Sequence, residues 1–383
     1  MKRIYFDYAA GTPVDPAVLR AMKPYFTEKF GNPGSVHAFG QDAIAAVDMS
    51  REAIAKAIGA GFRDIVFAGS ATEANNLALR GVVEKFRETN KARPRIIISS
   101  IEHESVFQTA RDLERTGIDV ICIPVDKHGI VDLKKIKESL TNDTALVSVM
   151  YANNEIGTIQ PISEISKIVR GFRDKNVYPI LHTDAAQAFQ FLDCDVNKLG
   201  VDLMTISSHK IYGPKGIGAL YSQNIKNLRP AITGGGQEFG LRSGTENVPA
   251  IVGFAKAVEL ATVARAAESM RIAVLRDDLW GGIKKIFPNA EVNGQEENSG
   301  KLPNILNVYF PGNAAQDILT KFDLNGLSAS SGSACRSRAI ESSYVIEALG
   351  YGKVRARSSI RFSLGRPTTK EEVAAGLEII KKA

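Results

Sequence analysis

The chain has 383 residues, 44% of them hydrophobic, with a formal net charge of +6 and three cysteines. That length buries a substantial core and suits two domains; no apolar run approaches the ~18 residues of a membrane span, and three cysteines make no disulfide framework. The positive charge is spread along the chain, with no basic block interleaved with aromatics, which argues against direct nucleic-acid binding.

The N-terminus, MKRIYFDYAAGTP, turns polar too early for a signal peptide, so a cytoplasmic protein is expected. Short β-branched runs come next (DIVFAG, RIIISS, DVICIPV, ALVSVMY, PILHTD, VDLMTIS, GIGALY), separated by segments of helical spacing such as EANNLALRGVVEKFRE and ISEISKIVRGFRDK. Continuous apolar strands alternating with helices predict an α/β fold whose mainly parallel sheet carries helices on both faces. Ligands of such a sheet gather at the carboxyl ends of its strands. After Pro249 a long helical tract leads into ILNVYFPG, LSASSG, SSIRFSLG and a last helix, EEVAAGLEIIKKA, which together predict a smaller α+β C-terminal domain. The expected division is a large domain over 15–255 and a small one built from 1–14 and 256–383.

Candidate site residues fall at the predicted strand ends. Ser70-Ala71-Thr72-Glu73 opens a helix after DIVFAG with capping-box spacing. The backbone N–H groups of such an N-terminus receive a phosphate, although the same pattern caps ordinary helices. His103 comes directly after RIIISS, where an imidazole stacks on a planar ring and relays protons near neutral pH; no zinc spacing surrounds it. Asn153 and Asn154 come after ALVSVM, where an amide either meets a ligand or builds a turn. Asp184 ends PILHTD, and Ser207-Ser208-His209-Lys210 ends VDLMTIS. A lysine leaving a buried strand is desolvated into a usable Schiff-base nucleophile. A lysine and an acid at neighbouring strand ends are what pyridoxal 5′-phosphate (PLP) requires, an imine partner and a carboxylate for the ring nitrogen. Ser207 and His209 add hydroxyl and imidazole donors for its phosphate.

The cysteines separate. Cys122 in DVICIPV and Cys194 in FLDCDV read as small core hydrophobes. Cys335 stands among small residues in SASSGSACRSR, with Arg336 and Arg338 beside it to favour the thiolate. Arg361 interrupts the alternation of SSIRFSL; its planar fork suits an amino-acid carboxylate or an ion pair on a sheet face, whereas Arg355 and Arg357 read as solvated. A nucleophilic thiol beside a PLP site points to chemistry at a substrate's sulfur.

Taken with YFDYAA from Tyr5, Gly31-Asn32-Pro33, ATEANN from Ala71, Asn153-Asn154-Glu155-Ile156-Gly157, RSGTEN from Arg242 and Gly332-Ser333-Ala334-Cys335, these motifs cover nearly the whole chain. The chain resembles group I of the cysteine desulfurases, in the class V aminotransferase superfamily. That resemblance implies a fold-type-I PLP-dependent transferase that converts L-cysteine to L-alanine and leaves a persulfide on Cys335. By the same resemblance Lys210 carries PLP as an imine, Asp184 holds the ring nitrogen, Gln187 bonds the phenolic oxygen, and His103 stacks on the ring and assists proton transfer. Ala71, Thr72, Ser207 and His209 would hold the phosphate, and Arg361, with Asn153, the substrate carboxylate. The family implies a homodimer in which Thr245 reaches the other subunit's phosphate, and a sulfur-acceptor protein, either an iron–sulfur scaffold or a tRNA-thiolation enzyme. No metal is required, although Cys335 could transiently ligate an iron–sulfur cluster. Two departures stand out: Phe239 replaces a residue that is basic in many relatives, and the chain stops at Ala383 without the longer tail of scaffold-docking members. Related readings are a selenocysteine lyase or an aminotransferase of the same fold, and a sulfur-relay protein without turnover.

Overall fold

The computed structural model describes residues 3–90, 93–295, 298–332 and 342–382. Cys335, Arg336 and Arg338 lie outside the described residues. Strand β1 (Ile4–Tyr5) leads through helices α1 (Pro16–Met22), α2 (Pro24–Thr27) and α3 (Ala38–Ala57) into β2 (Ile65–Ala68) and α4 (Ala71–Thr89). Then come β3 (Arg95–Ser99), α5 (Glu104–Arg115), β4 (Asp119–Ile123), α6 (Leu133–Ser139), β5 (Thr144–Ser148), α7 (Ile162–Arg173) and β6 (Ile180–Asp184). The alternation closes with α8 (Val196–Leu199), β7 (Leu203–Ser207) and β8 (Gly218–Ser222). Helix α9 (Val248–Ile286) leads to β9 (Glu291–Val292), β10 (Ile305–Tyr309), α10 (Ala315–Leu324), β11 (Leu327–Ser328), α11 (Tyr344–Ile346), α12 (Gly352–Arg357), β12 (Ser359–Ser363) and α13 (Lys370–Lys381).

The seven-stranded sheet has the order β2-β8-β7-β6-β5-β3-β4. Strands β3 to β7 pair in parallel, while β8 runs antiparallel to both β7 and β2. The reversal has its cause in the connection: the segment between β7 and β8 is too short for a helical crossover, so the chain turns back on itself. Alternate side chains enter two separate cores. Ile65, Phe67, Ile97, Val147, Leu181 and Met204 face α3, α7 and α9, whereas Val66, Ala68, Ile96, Leu146, Ile180 and Leu203 face α4 and α5. Both faces are therefore covered, as the uninterrupted apolar runs require. The architecture is the expected α/β one, a mainly parallel sheet with helices on both faces.

A second, antiparallel sheet has the order β12-β10-β9, and β1 pairs in parallel with β11. Among the described residues no helix is long and apolar enough to cross a membrane. Two expectations need correction. Cys122 is exposed, because β4 is the edge strand of the large sheet and pairs only with β3. Arg355 is not solvated: α12 makes this stretch helical and stacks its guanidinium on Tyr351 and Tyr309, at 3.8 and 4.8 Å from the ring centres. Cys194 does behave as a core hydrophobe, its thiol pushed up to about 12 by burial.

The Phe239 departure has a structural account. Arg51, buried under three aromatic rings including Phe239 at 4.9 Å, makes a two-pronged pair with Glu238 at 2.7 and 2.8 Å. A basic side chain at 239 would bring a second cation beside this buried one, so an aromatic face is the compatible neighbour.

Candidate active site

Carboxyl ends of β2, β3, β5, β6 and β7 open into a cavity of about 190 Å³ that holds Lys210, Asp184 and His103 together. After β2, Ser70 caps α4: its Oγ accepts from Glu73 N at 3.1 Å, and the Glu73 carboxylate accepts from Gly69 N at 3.0 Å. Ala71 and Thr72 then present the first turn of α4 to the cavity. Gly218 backs this turn so closely that a Cβ there would lie 2.8 Å from the Ser70 carbonyl carbon and 2.9 Å from Ala71 N.

His103 is the N-cap of α5. Its Nδ1 accepts from the Ser105 backbone N–H at 3.1 Å, which puts the proton of the neutral ring on Nε2. Burial holds its pKa below the usual imidazole value, with Asp184 opposing. At neutral pH the ring is uncharged and suited to stacking and proton relay.

Asp184 at the end of β6 accepts from Asn75 Nδ2 at 2.7 Å and from Ala186 N at 2.9 Å. Behind it, His182 sits between Ser148 Oγ at 2.8 Å and Thr205 Oγ1 at 3.1 Å and is pushed down to about 4 by burial, leaving Asp184 without a competing cation there.

Lys210 Nζ donates to the carbonyls of Ala9 at 2.6 Å and Ala10 at 3.0 Å, and Gln187 Nε2 also donates to Ala9 O, at 2.9 Å. The N-terminal segment 7–10 thus lies across the site as a strap. Ser207 Oγ and His209 Nδ1 bond each other at 3.1 Å beside the cavity, and His209 is pushed down to about 4 by burial, then by Lys210.

Arg361, buried in β12, completes the wall: Nη1 donates to Asn154 O at 2.7 Å and Nη2 to Asp7 Oδ1 at 2.8 Å. The expectation for Asn153 is corrected. Its Oδ1 accepts from Glu155 N and Ile156 N, and its Nδ2 donates to Ile101 O, so its amide is consumed in holding a turn. Asn154 lines the cavity instead. Thr245 is exposed and does not line the cavity of its own chain. Cys335 lies outside the described residues, but the residues flanking that segment converge on Glu155: Ser343 Oγ donates to its Oε2 at 2.5 Å, and a Cβ at Gly332 would meet the same oxygen at 2.6 Å.

Sequence reasoning assigns no role to Asn75, Asp7 or the Ala9 and Ala10 carbonyls. Asn75 is detectable as a polar residue among Ala74, Leu77 and Ala78 on the buried face of α4. Glu102 is likewise unassigned. Fully buried, it accepts from Ser99 Oγ and from Met150 N at 2.8 Å, while its Oε2 has no partner among the described residues. Burial pushes its carboxyl up to about 8. A folded state that holds this proton up to about pH 8 loses stability as pH rises through the window from the unfolded value, near 4.3. Glu102→Gln mimics the neutral acid, so the variant should gain stability over the parent from pH 5 to pH 8, by on the order of a few kcal/mol. Denaturant midpoints at the two pH values check this; identical pH dependence in the two proteins would disprove it.

The aminotransferase class-V model matches residues 4–375. Cysteine desulfurase IscS of Dictyoglomus turgidum is 44% identical over 383 residues, covering 100% of this chain and 95% of the relative. Cysteine desulfurase IscS 1 of Archaeoglobus fulgidus is 46% identical over 376 residues, covering 98% and 95%. The chain belongs to the cysteine desulfurases of the aminotransferase class-V family. Solved structures agree with this desulfurase fold: a NifS-like protein superposes with a TM-score of 0.91 at 36% identity, covering 99% of this chain and 98% of the other. The NifS-like protein of Rickettsia africae gives 0.86 at 33% identity, covering 99% of each chain.

Proposed function

We propose that the cavity holds PLP and that the protein is a cysteine desulfurase, converting L-cysteine to L-alanine and taking the sulfur as a persulfide on Cys335. The observation that carries this reading is the convergence of Lys210, a doubly bonded Asp184, neutral His103 and the α4 N-terminus on one cavity. Those residues fit PLP: an amine for its aldehyde, a carboxylate for its ring nitrogen, and a helix N-terminus, packed closely on Gly218, for its phosphate. When bound, PLP supplies the electron sink that lets the substrate Cα give up its proton.

The protein's own groups do the rest. Ala71, Thr72, Ser207 and His209 hold the phosphate, and Gln187 bonds the phenolic oxygen. Asp184 holds a proton at the ring nitrogen, while His103 covers the ring and moves protons through Nε2. Arg361 holds the substrate carboxylate and so orients the thiol outward. The Cys335 thiolate then attacks the substrate Sγ; the S–S bond forms as the Cβ–S bond breaks, the pair released at Cβ is captured by a proton, and alanine leaves. The persulfide passes to an acceptor protein, which in this reading is an iron–sulfur scaffold or a tRNA-thiolation enzyme.

The reading extends to a homodimer working in the cytoplasm, with Thr245 serving the partner's phosphate. Support for the dimer comes from exposed apolar residues concentrated between α2 and the first turn of α3: Phe30, Val36 and Phe39. A large domain over 15–255 and a small one from 1–14 and 256–383 are supported by the separate sheets.

The test is to incubate the holoenzyme with L-cysteine and no reductant, then measure alanine and intact mass. Alanine, with one added sulfur that is absent from Cys335→Ala, is the expected result. Keto-acid formation without alanine would replace this reading by an aminotransferase.

A further inference from the structure

Arg361 is 2% exposed, yet its three nitrogens are not equivalent. Nη1 is committed to Asn154 O and Nη2 to Asp7 Oδ1, whereas Nε is buried without a partner among the described residues. A buried guanidinium N–H left unbonded is costly unless a ligand takes it. The position of Asp7 relative to this fork is built into the fold. Ser363 N donates to Phe6 O at 2.7 Å and Tyr8 N to Ser363 O at 3.1 Å, so Asp7 is pinned to the strand that carries Arg361, two residues away.

We propose that Asp7 is a positioning residue that sets substrate specificity: by accepting from Nη2 it turns the Arg361 fork so that the N–H groups not already bonded receive the carboxylate of an α-amino acid. The inference rests on the reading of Arg361 as the carboxylate receiver. A planar fork binds a carboxylate well in one orientation, and displacement by about 1 Å costs on the order of 10²-fold. An ion pair serving stability alone would leave the choice between a carboxylate-bearing amine and a bare one unchanged.

The experiment titrates the holoenzyme with L-alanine and with ethylamine, which differ only by the carboxylate, following the cofactor absorbance. Asp7→Glu keeps the charge but lengthens the arm and displaces the fork; L-alanine should bind at least about tenfold more weakly, with ethylamine unchanged. Asp7→Asn keeps an oxygen in place to accept from Nη2, and should retain most of the alanine affinity. The reverse pattern, Asn impaired and Glu intact, would overturn orientation in favour of charge. If neither variant alters the alanine-to-ethylamine ratio while Arg361→Ala abolishes it, the role of Asp7 is wrong and that of Arg361 stands. If Arg361→Ala leaves the ratio intact, the carboxylate reading fails and this inference with it.

Discussion

Lys210→Ala should erase the imine absorbance of the holoenzyme and lower alanine formation from L-cysteine by at least about 10³-fold, the scale of losing a covalent nucleophile. The amine is placed by the strap: Ala9 and Ala10 carbonyls fix Nζ at 2.6 and 3.0 Å, over the same cavity as Asp184 and His103. The fold should survive, because Gln187 keeps hold of Ala9 O and the strap stays paired to β12. Absorbance, alanine yield and a thermal melt on one preparation check all three statements. A variant retaining a tenth of the parent's rate would remove Lys210 from the reaction.

Asp184→Asn should fold normally and lose at least about a hundredfold in rate, since the ring nitrogen then faces an amide in place of a carboxylate. The fold is protected by a local reserve. Turning the Asn75 amide over lets its Oδ1 accept from the Nδ2 group that the substitution introduces, in exchange for the 2.8 Å bond that Asn75 Nδ2 donates to Ser105 Oγ. The loss should therefore appear in kcat and in the cofactor spectrum, with the denaturant midpoint near that of the parent. A variant with parental kcat would show that the charge at 184 is dispensable.

Local pattern carries far in this chain. Strands buried on both faces leave continuous apolar runs, and five of the seven runs end at the site itself, so Lys210, Asp184, His103 and the Ser70 cap are all readable. What local pattern cannot carry is whatever depends on strand order or on the choice between like neighbours. Asn153 and Asn154 are chemically identical, and only the turn hydrogen bonds decide that the second faces the cavity. Cys122 sits in a run as apolar as its neighbours, but its strand is placed last in the sheet by pairings that no local window contains. Arg355 reads as solvated only on an extended chain, whereas α12 is helical and turns it onto two tyrosine rings.

The strap also orders events in time. Asp7 and Arg361 are 354 positions apart, and the Ala9 and Ala10 carbonyls meet Lys210 some 200 positions downstream. A ribosome making this protein releases the sheet and most strand ends well before β12 emerges, and contacts of such long separation form late. The site is therefore finished only when the two distant parts of the chain meet. A nascent chain not yet extended to β12 would display the lysine without the arginine in place, so the fold withholds a working centre until β12 has been made.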